Sequence, residues 1–204
     1  IEPGHRQRRT LNKKAAALSR TDKARENYAV NGEEIVVGVW DGGKIYSHKE
    51  FGGRLKIGRN SSVDDHATHV AGTIAASGKR KTAKGMAPAS KLITYDFYGD
   101  IHSQMNNSRK RHDVLLTNNS YGYPNGWEWE GEWVWYGDEY FGRYSSESRA
   151  FDKIVYNQGI VVVFAAGNDR EDRGPAGAKY YDNILDKYLR ESPPKRDGPY
   201  LCIG

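Results

Sequence analysis

The chain contains one cysteine, Cys202, and no long apolar run among its 204 residues. A single cysteine excludes an internal disulfide and says little about the compartment in which the protein works. No window approaches the roughly 18–20 consecutive apolar residues that a membrane-spanning helix needs. The sequence also contains no internal repeat. The sequence therefore predicts a folded domain that has no internal disulfide and no membrane-spanning segment.

The composition favours a folded protein that is rich in turns and surface loops. Only 37% of the residues are hydrophobic, but Gly (23) and Tyr (14) are abundant, and the apolar residues occur in compact runs. A chain of this length can bury a sizeable core. The formal net charge of +5 permits a nucleic-acid partner without requiring one.

Basic residues cluster near the start of the chain, between His5 and Arg25. Weak helical periodicity runs from about Lys13 to Tyr28. We interpret residues 1–31 as a basic N-terminal arm that packs on the domain with its charges in water. An arm that binds nucleic acid is the alternative, and steep salt dependence of binding would support it.

Buried strands and amphipathic helices alternate along the rest of the chain. The strands are predicted from continuous apolar runs that end in polar or glycine residues: Glu33–Gly43, Ala89–Phe97, Asp113–Gly122 and Gly159–Asp169. One helix is predicted after an N-cap at Asp64 or Asp65, and another between Ser145 or Ser146 and Gly159. The buried face of the second helix is predicted to hold Ala150, Phe151, Ile154 and Val155. The pattern predicts an α/β fold, a parallel sheet with helices on both faces.

Ligand chemistry in such folds gathers where the carboxyl ends of the strands meet. Asp41 ends the first predicted strand, and His66 opens the helix that follows Asp65. Taken alone, Asp41 in an Asp-Gly-Gly sequence is a turn residue or a buried carboxylate that orients a histidine. Both residues are expected at the same edge of the sheet.

His66 and His69 lie three residues apart on one predicted helix, in the sequence DDHATHVAGT. Such a pair can bind zinc, but a zinc site usually has a third protein ligand at a recognisable spacing. Asp64 and Asp65 fit helix capping better than metal binding. The residues themselves assign no metal ligands.

Five ordered blocks together resemble the subtilisin-like serine proteases, or subtilases. The blocks are VVGVWDGG, HATHVAGT, GMAPAS, NNSYG and VVVFAAGND, and the resemblance runs from about Glu33 to Asn168. One departure is Ala67, which replaces the glycine that follows the catalytic histidine in the family. We expect this methyl group to be tolerated because Ala is the next smallest residue and favours the helix.

The resemblance implies a role for each matching position. Asp41 would orient His66, which would act as general base and then as general acid. Asn168 would donate to the oxyanion, and Ser120, Tyr121 and Gly122 would form a wall of the substrate pocket. His69 matches a structural histidine of the family motif. No cofactor is implied, and structural calcium is compatible with the family, although the sequence identifies no ligands for it.

The nucleophile block of the family, G-T-S-x-A-x-P, has no match after Asn168. Ser192 lies in a loop sequence, Ser120 belongs to the pocket strand, and Cys202 lacks the surrounding pattern. The closing sequence PYLCIG is typical of the entry to another buried strand. We therefore expect residues 32–204 to be a partial catalytic domain, truncated before the nucleophile, with a polar loop at 169–199.

An aromatic insertion spans residues 121–144 and holds four of the five Trp. Acidic residues are interleaved with the aromatic ones: Glu128, Glu130, Glu132, Asp138 and Glu139. One interpretation is an elaborated loop whose rings pack on the domain. A second is a rim of the substrate cleft that favours basic peptides, and a third is a carbohydrate-binding surface.

The predicted function is that of a serine endopeptidase with Asp41 and His66 in this chain and the Ser on a missing or separate segment. The partners implied are a peptide or protein substrate and a second polypeptide that carries this Ser. Secretion follows from the family resemblance alone. The alternative is a non-catalytic module that binds peptides on the same fold, or an inactive fragment.

Overall fold

A computed structural model describes residues 12–124, 127–136 and 144–165. Asn168, the loop at 169–199 and Cys202 lie outside these ranges. The helices are α1 (Asn12–Leu18), α2 (Thr21–Tyr28), α3 (Asp65–Ala75), α4 (Ile101–His112) and α5 (Ser146–Gln158). The strands are β1 (Val36–Asp41), β2 (Leu55–Ile57), β3 (Lys91–Asp96), β4 (Val114–Asn119), β5 (Trp127–Trp129), β6 (Trp133–Trp135) and β7 (Val161–Phe164).

In the described part of the chain, five strands form one sheet in the order β2-β3-β1-β4-β7. The pairs β1–β3, β1–β4 and β2–β3 are parallel, and β1 lies at the centre. The register pairs Asp41 with Asp96, so these two strands end at the same level. The predicted parallel sheet is therefore confirmed, and Asp41 lies at its carboxyl edge.

Helix α3 covers one face of the sheet. Val37 and Val39 of β1 and Leu92 of β3 pack with the small residues of α3, which are Ala67, Ala71 and Ala75. All six side chains are at most 2% exposed. Alanines at four-residue spacing form a narrow stripe, which lets the helix approach the sheet closely.

Helix α4 covers the opposite face. Trp40 stacks on Tyr95 with ring centroids 4.5 Å apart, and its Nε1 donates to Oε1 of Gln104 in α4 at 2.8 Å. A Cβ on Gly38 would lie 2.4 Å from the Trp40 ring, so glycine is needed there to seat the indole. Strand β1 thus packs on both faces, which explains its continuous apolar run.

Two expectations about burial are wrong. Val161 and Val163 of β7 are 58% and 45% exposed, because β7 is the last strand of this sheet among the described residues. Val155 is 44% exposed, whereas Ile154 is buried at 3%, so the buried stripe of α5 is narrower than predicted. Strand β2 and helix α4 were not predicted at all.

The described part of the N-terminal arm packs on the last turns of α3 and on the loops that follow this helix. Nδ2 of Asn12 donates to the carbonyl oxygens of Gly72 and Ala83, at 3.4 and 3.2 Å. Arg25 Nη1 donates to the carbonyl oxygens of Gly85 and Met86 at 3.0 and 2.9 Å. These contacts agree with an arm that lies on the domain; its boundary at residue 31 stays a prediction.

The described residues fall into two compact units, one with residues 12–120 and 150–163 and the other with residues from 121–149 and from 164 onward. The second unit contains an antiparallel hairpin of β5 and β6. Within the described ranges, no helix combines the length and apolar character that crossing a membrane requires.

Candidate active site

The carboxylate of Asp41 lies against the imidazole of His66. Nδ1 of His66 is 2.8 Å from Oδ1 and 3.0 Å from Oδ2 of Asp41. The Asp41 side chain is 4% exposed, whereas the His66 side chain is 57% exposed. The pair therefore combines a buried acceptor with an imidazole whose other edge faces solvent.

The end of β1 holds Asp41 in place. Its Oδ1 accepts a hydrogen bond from the backbone N–H of Gly42 at 2.8 Å, and its backbone oxygen accepts one from Phe97 at 3.0 Å. In the neighbouring strand, buried Asp96 pairs with Arg59 at 3.1 Å. The neighbouring strands β1 and β3 thus both end in a buried carboxylate, and each of these carboxylates has its own partner.

The first turn of α3 fixes His66. Oδ1 of Asp64 caps the helix by accepting from the backbone N–H of Ala67 at 2.7 Å. Thr68 Oγ1 donates to the Asp64 carbonyl at 2.8 Å and accepts from the Tyr46 N–H at 2.9 Å. These bonds join the loop after β1 to the helix start, so Asp41 and His66 are held by linked segments.

Two glycines allow this close approach between the loop and α3. A Cβ on Gly43 would lie 2.5 Å from the Ser62 carbonyl oxygen, which is nearer than atoms can pack, and 3.0 Å from Asp64 Cβ, which is a tight contact. At the other end of α3, a Cβ on Gly85 would lie 2.6 Å from the Ala76 nitrogen. Glycine at these positions is required by contact distance.

The block GMAPAS closes the C-terminal end of α3. The N–H groups of Gly85, Met86 and Ala87 donate to the carbonyls of Ala76, Thr73 and Ile74 at 2.9, 2.9 and 2.8 Å. Carbonyls in the last turn of a helix lack intrahelical partners, and these bonds satisfy three groups at that end. The block therefore fixes the far end of the helix that carries His66.

The residues predicted for the substrate pocket follow β4. Asn118 Nδ2 donates to Ser120 Oγ at 2.9 Å, and the buried Asn119 donates to the Val163 carbonyl at 3.1 Å, which ties β4 to β7. Tyr121 makes an edge contact with the ring of Phe164, at 5.7 Å between centroids, and Gly122 is exposed. Asn168 lies outside the described residues.

Oxygen and nitrogen atoms of Asp41, Asp64 and His66 lie within 4.8 Å of one another, close enough to share a cation. The hydrogen bonds already use Nδ1 of His66 and one oxygen of Asp64. The exposed His69 lies farther along the same helix and does not belong to this group. The arrangement favours an aspartate–histidine pair over a metal centre.

Residues 32–185 match the model of the Subtilase family. The chain belongs to the subtilase family. This membership confirms the family resemblance that the five sequence blocks indicated, and it agrees with the parallel sheet and its covering helices.

The relatives of this subtilase chain are much longer proteins. Fervidolysin from Fervidobacterium pennivorans is 27% identical over 164 residues, which cover 72% of this chain and 23% of that protein. Subtilisin-like protease 1 from Pseudogymnoascus destructans is 28% identical over 158 residues, covering 72% of this chain and 36% of the relative. The chain thus spans about a quarter to a third of the length of these curated relatives.

The fold of the subtilase chain is also similar to that of the Clostridium perfringens CspB protease. The two superpose with a TM-score of 0.59 at 21% sequence identity, over 76% of this chain and 41% of that one. At this identity the likeness shows a shared fold.

The sequence did not indicate that Glu50 is a buried carboxylate with a structural role in this subtilase chain. It accepts hydrogen bonds from Ser77 Oγ and from the N–H groups of Gly78, Lys79 and Arg80, at 2.8 to 3.0 Å. Burial alone would raise the pKa of Glu50, but these four bonds outweigh it and lower the pKa to about 2. Glu50 stabilises the loop after α3, and no local sequence signal marks it.

Proposed function

We propose that this chain supplies the aspartate and histidine of a subtilase serine endopeptidase centre. The observation that supports it is the contact of the His66 Nδ1 with both oxygens of a buried carboxylate, while most of the imidazole stays exposed. Family membership adds that relatives of this chain are proteases by name. Binding alone would not require this pairing.

The geometry favours one tautomer of His66. An ionised carboxylate only accepts hydrogen bonds, so Asp41 favours the tautomer of His66 with its proton on Nδ1. The lone pair then lies on Nε2, which can take the proton of a serine hydroxyl as the oxygen attacks the peptide carbonyl. The imidazolium would then return this proton to the leaving amine.

Two further elements of the proposal come from the family motif. Asn168 would donate its side-chain amide to the oxyanion that forms during attack. Ser120, Tyr121 and Gly122 would line the substrate pocket and bind extended peptide backbone by strand addition. The irregular backbone that follows β4 is compatible with this role.

The nucleophilic serine is proposed to lie on a segment outside these 204 residues, because the sequence contains no block that matches it. That segment would be a continuation of the protein or a second polypeptide. The proposed reaction needs no cofactor. Secretion is an expectation that comes from the family alone. Calcium bound in surface loops is a second such expectation, and the sequence identifies no ligands for it.

The first experiment treats the purified protein with a fluorophosphonate probe and measures intact mass under denaturing conditions. A labelled second polypeptide that accompanies an unlabelled 23.0 kDa chain supports a split centre. A labelled longer protein supports a continuous one. A single unlabelled species of 23.0 kDa would exclude a competent nucleophile and favour the non-catalytic peptide-binding alternative.

Two histidine variants then test the roles within the protein that labels. His66→Gln should abolish labelling because the general base is lost. His69→Gln is the matched control, an exposed histidine on the same helix, and should label normally. Equal labelling of both variants would contradict the proposal.

A further inference from the structure

Basic side chains from two elements of the sheet domain meet at the C-terminal end of α4. The last turn of α4 carries four basic residues, which are Arg109, Lys110, Arg111 and His112. Lys56 of β2 joins them, since its Nζ lies 3.0 Å from Nδ1 of His112. Lys56 and Arg111 are exposed, and His112 is half-buried. A positively charged cluster is therefore formed by a helix end and a strand together.

The alternation of β2 directs Lys56 towards α4. Leu55 packs against the core on the face that α3 covers. Successive side chains of a strand point to opposite faces, so Lys56 lies on the face that α4 covers. Gly58, two residues further on, lies on the same face, because a Cβ there would be 2.3 Å from the Tyr95 ring. The fold itself thus brings Lys56 to the helix end.

The positive charges of this cluster are not neutralised by carboxylates of the described residues. Asp113 directly follows α4, but its carboxylate pairs with Arg109. Within the described part of the chain, Lys56, Lys110 and Arg111 form no ion pair. Three full positive charges therefore lie close together without a described counter-charge.

Two titratable groups indicate that these charges act on the same region. The pKa of His112 is lowered, first by burial and then by the charges of Lys56 and Arg111. The pKa of Tyr95 is raised by burial, and the charge of Arg111 opposes this rise. The guanidinium of Arg111 therefore influences both rings, and His112 is neutral at neutral pH.

The contact between Lys56 and His112 leaves hydrogen-bond donors for a ligand. An ammonium group only donates, so Nδ1 of His112 accepts from Lys56 and the ring proton lies on Nε2. An ammonium group has three N–H groups, and His112 takes one of them. The guanidinium of Arg111 can donate two parallel hydrogen bonds to one oxyanion. Donors of this kind, with positive charge, match the acceptor oxygens of a phosphate group.

Simpler effects explain the separate residues but not their contact. Cations in the last turn of a helix interact favourably with its dipole, and a lysine on an outer strand discourages pairing with other chains. Neither effect requires Lys56 Nζ to lie 3.0 Å from a ring nitrogen of another basic residue. The helix dipole disfavours an anion at this end, but its charge of about −0.5 is smaller than that of three cations.

We propose that Lys56, Arg111 and His112 form a binding site for a phosphate group, either free phosphate or a small phosphate monoester. Lys56 and Arg111 supply the charge, and His112 donates a hydrogen bond. The site lies away from the proposed peptidase centre, because α4 leads into the start of β4, which pairs with the start of β1, whereas Asp41 ends β1. Failure of either proposal would leave the other intact.

Nuclear magnetic resonance of the histidine side chains tests the proposal on the purified protein. Inorganic phosphate, glycerol phosphate and a short duplex DNA are titrated at neutral pH and constant ionic strength. The imidazole signals of His112, assigned with His112→Gln, should shift saturably with phosphate or glycerol phosphate, whereas those of the exposed His48 should not. The tighter of the two small ligands identifies the source of the phosphate group. A shift that does not saturate, or a response to DNA alone, would overturn the proposal.

A charge-matched pair of lysine variants separates the site from general electrostatics. Lys56→Gln should weaken phosphate binding roughly fivefold, because a charged donor is lost from an exposed position. Lys81→Gln removes the same charge from an exposed lysine in the loop after α3 and should change the affinity less than about twofold. Calorimetry measures both affinities. Equal weakening in the two variants would contradict a discrete site.

Two variants of Arg111 separate the guanidinium group from its charge. Arg111→Gln should weaken phosphate binding roughly fivefold, and Arg111→Lys about twofold, because lysine keeps the charge but not the paired donors. Thermal unfolding verifies that both variants remain folded. Unchanged affinity in a folded Arg111→Gln variant would contradict the proposed site.

Discussion

Glycine at position 43 is required by distance, because the backbone of the Ser61–Val63 segment runs directly over it. The sequence block Asp-Gly-Gly is a common turn signal, but here its second glycine is where the loop after β1 touches the segment before α3. The same contact brings the carboxylate and the imidazole together. Local packing and site geometry are therefore coupled at one residue.

Gly43→Ala should lower the free energy of unfolding by about 1–3 kcal/mol, since a methyl group there overlaps the Ser62 carbonyl and Asp64. Denaturant unfolding measures the effect. Gly53→Ala is the matched control, because a Cβ at that glycine has no atom within 4 Å. Equal effects of the two substitutions would show that the contact at Gly43 is not limiting.

For the peptidase centre proposed above, Asp41→Asn should reduce kcat by roughly 10⁴-fold with KM changed little. The amide removes the charge and favours the wrong imidazole tautomer. Steady-state kinetics on a peptide substrate checks this, with Asp65→Asn, an exposed neighbour of the helix start, as control. Retained kcat in the Asp41 variant would remove Asp41 from the mechanism.

At the scale of elements, α3 is held by polar contacts at both ends. Asp64 caps its start, and the Gly85–Ala87 backbone satisfies carbonyls at its end. The alanines between the two ends bury only small side chains. The position of the helix therefore depends on the contacts at its termini and on its close packing against the sheet. Substitutions at either end of α3 should therefore shift the position of His66, although the substituted residues do not contact it.

Asp64→Ala should cost about 1 kcal/mol of stability by removing the cap on Ala67. Hydrogen exchange should show faster exchange at the first turn of α3 in particular. Asp65→Ala is the control, because Asp65 lies in the first turn but is exposed and is not the capping residue. Faster exchange throughout the sheet, without a local maximum at α3, would argue against a capping role.

The elements that sequence predicted are those with a strong apolar pattern. Strands β1, β3, β4 and β7 follow from continuous runs, and α3 and α5 from caps and spacing. Strand β2 is only three residues long, and α4 buries only Met105 and Ser108, so neither carries a periodic signal. Their positions are set by the sheet that they join.

The candidate site was predictable only in part for the same reason. Asp41 and His66 belong to ordered blocks that can be recognised along the chain. Glu50 has no such pattern, because its role depends on N–H groups that the chain folds around it from residues 78–80. The exposure of Val161 likewise depends on the order of strands and not on its own segment.

At the scale of the whole molecule, the stability should depend on pH through Glu50. Its pKa falls from the ordinary 4.5 to about 2 on folding. The carboxylate therefore stabilises the folded state fully above pH 4.5, and this contribution, up to about 3 kcal/mol, is lost as the pH falls towards 2. Denaturant unfolding at several pH values measures the slope.

Glu50→Gln should flatten that slope and lower stability at neutral pH, because the amide cannot replace an ionised acceptor of four donors. Glu34→Gln, whose side chain is 87% exposed, should leave the slope unchanged. A slope that persists in the Glu50 variant would assign the acid sensitivity to other carboxylates.

The sheet should tolerate change at one edge far better than at its centre. Val39→Ala, at a residue with no exposed surface, should cost about 2–4 kcal/mol through the cavity it leaves. Val161→Ala, at a residue 58% exposed, should cost less than about 1 kcal/mol. Thermal unfolding of both variants makes the comparison, and similar costs would mean that β7 is buried in solution.

The central position of β1 has a consequence for synthesis on the ribosome. This strand is the first of the sheet to be made, but both of its neighbours, β3 and β4, come later in the chain. The hydrogen-bonding groups of its backbone therefore stay unpaired until β3 and β4 emerge. The apolar residues on its two faces likewise stay unburied until then. Long-range parallel pairing is slow, and an unpaired apolar strand can associate with other chains meanwhile. Translation speed and chaperone supply should therefore affect the yield of this protein.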